Sequence, residues 1–310
     1  MDKISIIIPI YNCEEFLNDC LDSIVRQSFK NIEVILINDG TKDNSDAICR
    51  EYRDKYKWTF IDRKVNKGLA YTRNEGIKNS TGKYVMFLDS DDLLYDNAVE
   101  LLYKSITRNK SDMVISKINS FNSKGEYGYY SDKFLKKEST FNVYDNKKII
   151  NCISVCGKLY KKSLLNGIEF IPGTYHEDNY FTLKILFNAN SISVLPEYTY
   201  YRRIREGENK SIMQNLNYKT FNDLIKNFES FLSDNEGTIK GDFVYDFMMR
   251  KSINYIVMNI NTTEDYKNCK KTLNDFSNFI CGYGIQKPRL FKLKFYIYFK
   301  FAKLYKLMRQ

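Results

Sequence analysis

Across 310 residues the chain holds one histidine, His176. That excludes any cluster of imidazole ligands, and a Ser–His–Asp triad unless it uses this residue. Glycine and proline are scarce, at 14 and 4, which rules out collagen-like and low-complexity chains. No uncharged apolar run reaches the ~18 residues that a membrane-spanning helix needs. The apolar run near the start, Ile4 to Ile10, is short, contains Pro9 and follows an acid at Asp2. It reads as a strand and not as a secretory leader. The 7 cysteines are odd in number and lack CxxC spacing. Without an export signal they are expected to be reduced thiols, with neither disulfides nor a zinc site. No GxGxxG or GxxxxGK[ST] occurs, so dehydrogenase and P-loop chemistry have no support.

What is present is a globular composition, 43% hydrophobic and 28% charged, with enough apolar mass for a core. The net charge of +10 is unevenly placed. From Lys287 to Gln310 there are eight Lys or Arg and no acids, interleaved with seven aromatics from Phe291 to Tyr305. The other 286 residues carry 40 basic and 38 acidic side chains. A nucleic-acid groove over the body is therefore not expected. The basic end suits an anionic membrane surface; the alternative is a terminal helix packing its aromatics on its neighbours or on another subunit, as in a homo-oligomer.

The first 115 residues alternate strand and helix signals. Strands are expected at Ile4–Ile8, Ile32–Ile37, Trp58–Ile61, Tyr84–Leu88 and Met113–Ser116. Helices are expected near Glu14–Gln27 (with Asn12 as N-cap), Ser45–Tyr56, Leu69–Asn79 and Asn97–Arg108. Such alternation predicts an α/β fold, a mostly parallel sheet flanked by helices. Ligands then bind beyond the carboxyl ends of the strands. Pro9–Asn12, Asn38–Gly40, Asp62–Gly68 and Asp89–Asp92 are each expected there. Residues 118–145 read as irregular sheet or loop, Val155–Tyr160, Ser191–Leu195 and Tyr198–Arg203 as strands, and Glu177–Asn188 as a helix. Helical patterns follow near 216–233, 241–260, 264–280 and 290–308. A domain edge is expected near 212–216, dividing a catalytic domain (1–215) from a helical C-terminal region (216–310).

Two constellations carry chemistry. Asp89-Ser90-Asp91 puts two carboxylates two residues apart after a buried strand, a hard oxygen site for Mg²⁺ or Mn²⁺. The plainer reading is a solvated turn, with Asp92 capping the next helix. In the second, Tyr11 could lie against a base or ribose and Asp39 could accept the N3–H of a uracil. The plainer reading of Asn38-Asp39-Gly40 is a strand-ending turn.

In order, Ser5–Asn12 (SIIIPIYN), Glu33–Ser45 (EVILINDGTKDNS), Asn66-Lys67-Gly68-Leu69-Ala70, Thr72-Arg73-Asn74 and Gly82–Asp92 (GKYVMFLDSDD) closely resemble the family 2 glycosyltransferases with the GT-A fold. The resemblance covers about residues 3–212. It continues through Cys156-Gly157-Lys158-Leu159-Tyr160, His176-Glu177-Asp178-Asn179-Tyr180-Phe181, and Tyr200-Tyr201-Arg202-Arg203 with Arg205 and Lys210-Ser211-Ile212. It implies a bacterial enzyme that transfers sugar from a UDP-sugar to a glycan, plausibly lipid-linked, in capsule, lipopolysaccharide or teichoic-acid-type synthesis. Such an enzyme would be cytoplasmic and peripheral at the inner face of the membrane.

By the same resemblance Pro9, Tyr11, Asn12, Asp39, Asn66, Gly68, Arg73, Asp89, Ser90, Lys158, Arg202 and Arg205 would contact the nucleotide-sugar. Asp91, with Asp89, would hold Mn²⁺ or Mg²⁺. Asp178 would be the general base, and His176 and Glu177 would face the acceptor. Read without the family, Asp178 is first a helix N-terminal carboxylate favoured by the helix dipole, and only second a base. His176 is then a metal ligand, an acceptor contact or a plain loop histidine. The arginines, including Arg73, are phosphate ligands or solvated charges, and which of Arg202, Arg203 and Arg205 meets the diphosphate stays open. The alternatives to a transferase are a sugar-nucleotide nucleotidyltransferase, which usually needs a Gly-rich N-terminal loop absent from Pro9–Asn12, and a non-catalytic binding protein, which predicts loss of Asp91 or Asp178.

Overall fold

A computed structural model describes residues 1–128, 133–206, 217–236, 241–259 and 263–281. The basic aromatic tail and Lys210-Ser211-Ile212 lie outside the described residues. These fall into two compact units, one drawn from Met1–Gly173 and Phe181–Asn209, the other from Thr174–Tyr180 and Lys210–Gln310.

The first unit is built on a mixed sheet. β1 (Ile4–Ile10), β2 (Ile32–Asp39), β3 (Thr59–Arg63) and β4 (Tyr84–Phe87) form its parallel part, in the order β3-β2-β1-β4. β1 is buried at every position, as an Ile-rich run in the middle of a parallel sheet should be. Pro9 sits inside it without penalty. It lies beyond the stretch that β4 pairs, Ile4–Ile7, so only one edge of the strand still needs donors there. Helices α1 (Glu14–Val25), α2 (Ser45–Tyr56), α3 (Leu69–Asn79) and α4 (Ala98–Asn109) alternate with strands. α3 packs closely on the sheet because Gly76 has no Cβ; one built there would meet Ile7 Cγ2 at 2.3 Å.

The second half of the sheet departs from simple alternation. β5 (Leu93–Leu94) is a short edge piece, and β6 (Met113–Asn122) is longer than the expected fifth strand. β6 does not lie beside β4. β9 (Lys158–Lys161) intervenes, antiparallel to both. The expected irregular stretch contains the end of β6, β7 (Gly125–Gly128) and β8 (Ser139–Phe141). Two expected strands are one, β10 (Ile192–Arg203), parallel to β6 with register shifts between Leu195 and Tyr200. Pro196 falls at that irregularity, where a missing N–H costs no ladder bond.

α5 (Glu177–Asn188) begins in the second unit and ends in the first. The second unit also contains α6 (Tyr218–Ser233), α7 (Gly241–Asn259) and α8 (Thr263–Cys281). Asn217 caps α6 through a capping box with Thr220. Phe221, Phe228, Phe231, Met248 and Phe276 are buried. No described helix is long and apolar enough to cross a membrane.

Candidate active site

The loops after β1, β2 and β3 are joined by hydrogen bonds. Asn12 does not cap α1; Cys13 holds that position. Asn12 is left-handed, φ 46°, and its Oδ1 accepts from Thr41 Oγ1 and the Lys42 N–H at 3.0 and 2.9 Å. The side chain that would have capped the helix ties the first loop to the second. Asp39, the last residue of β2, is almost fully buried. Its carboxylate accepts the backbone N–H of Lys67 and of Gly68, each at 2.8 Å, and pairs with Arg63 at 3.1 Å. Gly40 is required where it stands. Its φ is 73°, and a Cβ would lie 2.8 Å from the Asn66 backbone nitrogen.

α3 carries this network to the next loop. Gly68 occupies the N-cap position of α3, and one turn on Arg73 is buried with its guanidinium 2.7 Å from Asp89 Oδ1. Asn74 exchanges two hydrogen bonds with the Phe170 backbone, at 2.8 and 2.9 Å. The Asp89 N–H donates to Tyr200 Oη at 3.2 Å, and Tyr200 donates to Asp92 at 2.7 Å. Asp92 is therefore not a helix cap; it is buried and also accepts the Arg203 N–H at 2.7 Å. Burial, with repulsion from Asp91 and Asp89, pushes its carboxyl well above the ordinary range.

Asp91 is held from the end of β10. Arg205 Nε donates to its Oδ2 at 2.7 Å, and Arg203 Nε donates to its backbone carbonyl at 3.0 Å. Burial raises the Asp91 carboxyl, Arg205 opposes that, and the Asp89 charge reinforces it. The site thus sets Asp39, Asp89 and Asp91 each against an arginine, with Asp92 buried behind them. Asp89 and Asp91 supply hard oxygens, the chemistry that Mg²⁺ and Mn²⁺ prefer. Among the described residues no three His, Cys, Asp or Glu side chains are grouped to hold an ion. Two carboxylates fit a cation of the Mg²⁺ type, which commonly takes one or two protein ligands and completes its shell with water and substrate phosphates.

In the first unit, then, direct contacts join Asp39 to Gly68, Arg73 to Asp89 and Arg205 to Asp91, while Asn12 is tied to Thr41 and Lys42 and the Asn66 backbone lies against Gly40. Pro9 lies in β1, Tyr11 is exposed, and Ser90 is buried beside Cys13. Lys158 is buried with its ammonium on the Ser154 carbonyl, and Arg202 lies along β10 opposite Ser120.

In the second unit His176, Glu177 and Asp178 open α5. The segment is tied to α6: Asp223 accepts the Tyr175 N–H at 3.3 Å, and Asn227 donates to the Tyr175 carbonyl at 3.0 Å. His176 is left-handed, φ 61°, and buried against Tyr255 with ring centroids 5.4 Å apart. Burial lowers its pKa to about 4; Asp178 and Asp223 oppose the shift and Lys251 adds to it. Asp178 is half-buried and its Oδ1 accepts from Asn179 Nδ2 at 3.0 Å.

Sequence reasoning missed Arg63, Tyr200 and the structural part of Arg203. Arg63 closes β3 and reaches both Asp39 and Thr72. Its signal was position alone, the last residue of a strand next to the β2 loop. Tyr200 carried no signal, since a tyrosine in a β-strand is ordinary core.

The model of the family described as glycosyl transferase family 2 matches residues 5–168. The glycosyltransferase GlyA of Streptococcus pneumoniae is 38% identical over 216 residues, 66% of this chain and 31% of that protein. The poly(ribitol-phosphate) beta-glucosyltransferase of Bacillus spizizenii is 34% identical over 218 residues, 68% of this chain and 34% of the enzyme. The chain thus spans about a third of the length of both relatives. The crystal structure of S. aureus TarS 1–349 in complex with UDP-GlcNAc superposes with a TM-score of 0.77 at 27% identity, covering 90% of this chain and 81% of that one.

Proposed function

Because the chain belongs to glycosyl transferase family 2, we propose that it transfers a hexosyl or N-acetylhexosaminyl unit from a UDP-sugar to a glycan hydroxyl, inverting the anomeric carbon. The observation that carries this reading is the linked pair of acidic loops. Asp39 stands at the end of β2 and Asp89–Asp91 beyond β4, both attached to the same helix, α3.

The uridine falls to the first loop. Asp39 accepts two backbone N–H groups, pairs with Arg63 and keeps a lone pair for the N3–H of uracil. Pro9, Tyr11 and Asn12 flank the base and ribose, and Asn66, Gly68 and Ser90 complete the wall. Arg73 sets Asp89 toward the ribose or the cation. Asp91 and Asp89 would hold Mn²⁺ or Mg²⁺, which supplies charge neutralisation for the departing diphosphate. Arg205, with Arg202, binds the same phosphates by charge-assisted hydrogen bonds, and Lys158 backs the donor pocket. Asp178 takes the proton of the acceptor hydroxyl as its oxygen attacks, with His176 and Glu177 beside the acceptor. The hydroxyl oxygen is the nucleophile and no enzyme group replaces it, so the displacement is single and configuration inverts.

The relatives named for poly(ribitol-phosphate) favour an acceptor of the teichoic-acid or capsule type in a bacterial cell-surface polymer. A lipid-linked acceptor would place the enzyme in the cytoplasm at the inner face of the membrane, held there by the eight cations and seven aromatics of 287–310. Homo-oligomer formation through the C-terminal region is compatible with this reading.

The test is UDP release and transfer from a panel of UDP-, GDP- and dTDP-sugars with Mn²⁺ or Mg²⁺. Asp91→Ala should abolish metal-dependent nucleotide binding, and Asp178→Ala should keep that binding and lose transfer. Transfer by Asp178→Ala equal to the wild type would remove the base. Truncation after Ile285 should release the protein from anionic vesicles, and unchanged sedimentation would remove the membrane role.

A further inference from the structure

The side chains behind Asp178 form a short relay. Lys251 on α7 donates from Nζ to Asn179 Oδ1 at 2.5 Å. Asn179, fully buried, donates from Nδ2 to Asp178 Oδ1 and to the His176 carbonyl, each at 3.0 Å. Its backbone N–H bonds the same carbonyl at 3.0 Å.

We propose that Lys251 is a positioning residue for the base, acting through Asn179 to orient the Asp178 carboxylate. The inference rests on Asp178 being the base.

The argument is one of donor and acceptor inventory. An ammonium has three donors and no acceptor, so it can face only the oxygen of the asparagine amide. That fixes which end of the amide points where, and its N–H groups must then face Asp178 and the His176 carbonyl. One carboxylate oxygen of Asp178 is thereby engaged by a neutral donor, and among the described residues the other accepts no hydrogen bond and can take a proton. The titratable groups facing this relay are Asp178, Asp223, Lys251 itself and His176, whose pKa burial lowers. Lys251 lies against the Phe247 ring, 5.8 Å from its centroid, and burial lowers its pKa against the opposing charge of Asp178. A half-buried ammonium whose bond goes to an amide gains little for the fold compared with one facing a carboxylate, which argues for a local task.

The experiment is steady-state turnover of the full chain, read as UDP release from UDP-GlcNAc with poly(ribitol phosphate) as acceptor. Lys251→Met should lower kcat ~10- to 100-fold, the cost of a slightly misplaced reacting group, and leave the donor KM within about two-fold. Lys251→Arg should restore most of kcat. Asn179→Ala and the double variant Lys251→Met/Asn179→Ala should have the same kcat, because Lys251 has nothing further to lose once the amide is gone. Retained UDP binding and an unchanged melting temperature show that the variants are folded; if Lys251→Met does not fold, the Lys251→Arg rate and the Asn179→Ala variant decide. Wild-type kcat in Lys251→Met, losses that multiply in the double variant, or a rise confined to the acceptor KM would each overturn the positioning role. An Asp178→Ala variant as active as wild type would instead remove the base on which it depends, and the proposal with it.

Discussion

The aspartates of the two units are held differently. In the first unit Asp39, Asp89 and Asp91 each lie 2.7–3.1 Å from an arginine: Arg63, Arg73 and Arg205. In the second, Asp178 accepts from the neutral amide of Asn179, and among the described residues it forms no ion pair. A guanidinium is a charged donor that anchors a carboxylate and orients its remaining lone pairs. That suits groups that bind a base, a cation or a phosphate. A neutral amide engages one oxygen and leaves the other open, which suits a group that must accept a proton. Under the proposed function the comparison matches binding to the first unit and proton transfer to the second, and it can be broken at four points.

The largest expected effect is at Asp178. Asp178→Asn keeps the shape and removes the base, so kcat should fall ~10²- to 10⁴-fold. UDP affinity by calorimetry should not move. A matching loss in UDP binding would erase the distinction between the units.

Next comes acid stability, which separates the units by their histidine content. His176, pushed down to about 4 by burial, is neutral in the folded protein where the unfolded chain would be protonated. Between about pH 6.5 and 4 the unfolded state binds more protons, so stability falls as pH falls through that window. The full loss is about 3 kcal/mol. Urea midpoints measured across it should fall in the wild type and fall less in His176→Gln. Hydrogen exchange should show the second unit opening first.

Arg205→Ala tests the binding half. Loss of a charge-assisted bond should weaken UDP by about 1.5–3 kcal/mol, roughly 10- to 100-fold in Kd with Mn²⁺ present, while the melting temperature changes little. Unchanged Kd would leave the diphosphate to another arginine.

Gly76→Ala has the smallest expected effect, about 1–3 kcal/mol of stability, because the new methyl meets the side chain of Ile7 in a packed core. α3 also carries the ties to Asp39 and Asp89, so donor affinity should weaken with it. Asp178-dependent steps should be untouched at saturating donor.

Much of the first unit was legible because its signals are local. β1 is an isoleucine-rich run with Pro9 inside it, and the acids at the end of β2 and beyond β4 stand beside Gly40 and Ser90 in short polar stretches that mark strand ends. Asn12 shows where that reading stopped. An asparagine before a helix is a good cap by propensity, yet Thr41 and Lys42, thirty residues away, offered its side chain stronger partners. Asp92 was lost to Tyr200 and Arg203 in the same way.

Periodicity and turn residues in the sequence determined the parallel strands, the helices between them and the positions of Asp39, Asp89 and Asp91, since backbone preference and amphipathic spacing act over a few residues. Tertiary structure alone decided that β9 separates β4 from β6, that Arg63 and Arg205 meet their aspartates, and that Lys251 reaches Asn179 across 72 positions. Those pairings depend on which strand ends and helix faces come within hydrogen-bond range, and no local pattern encodes a distance between segments so far apart in the chain.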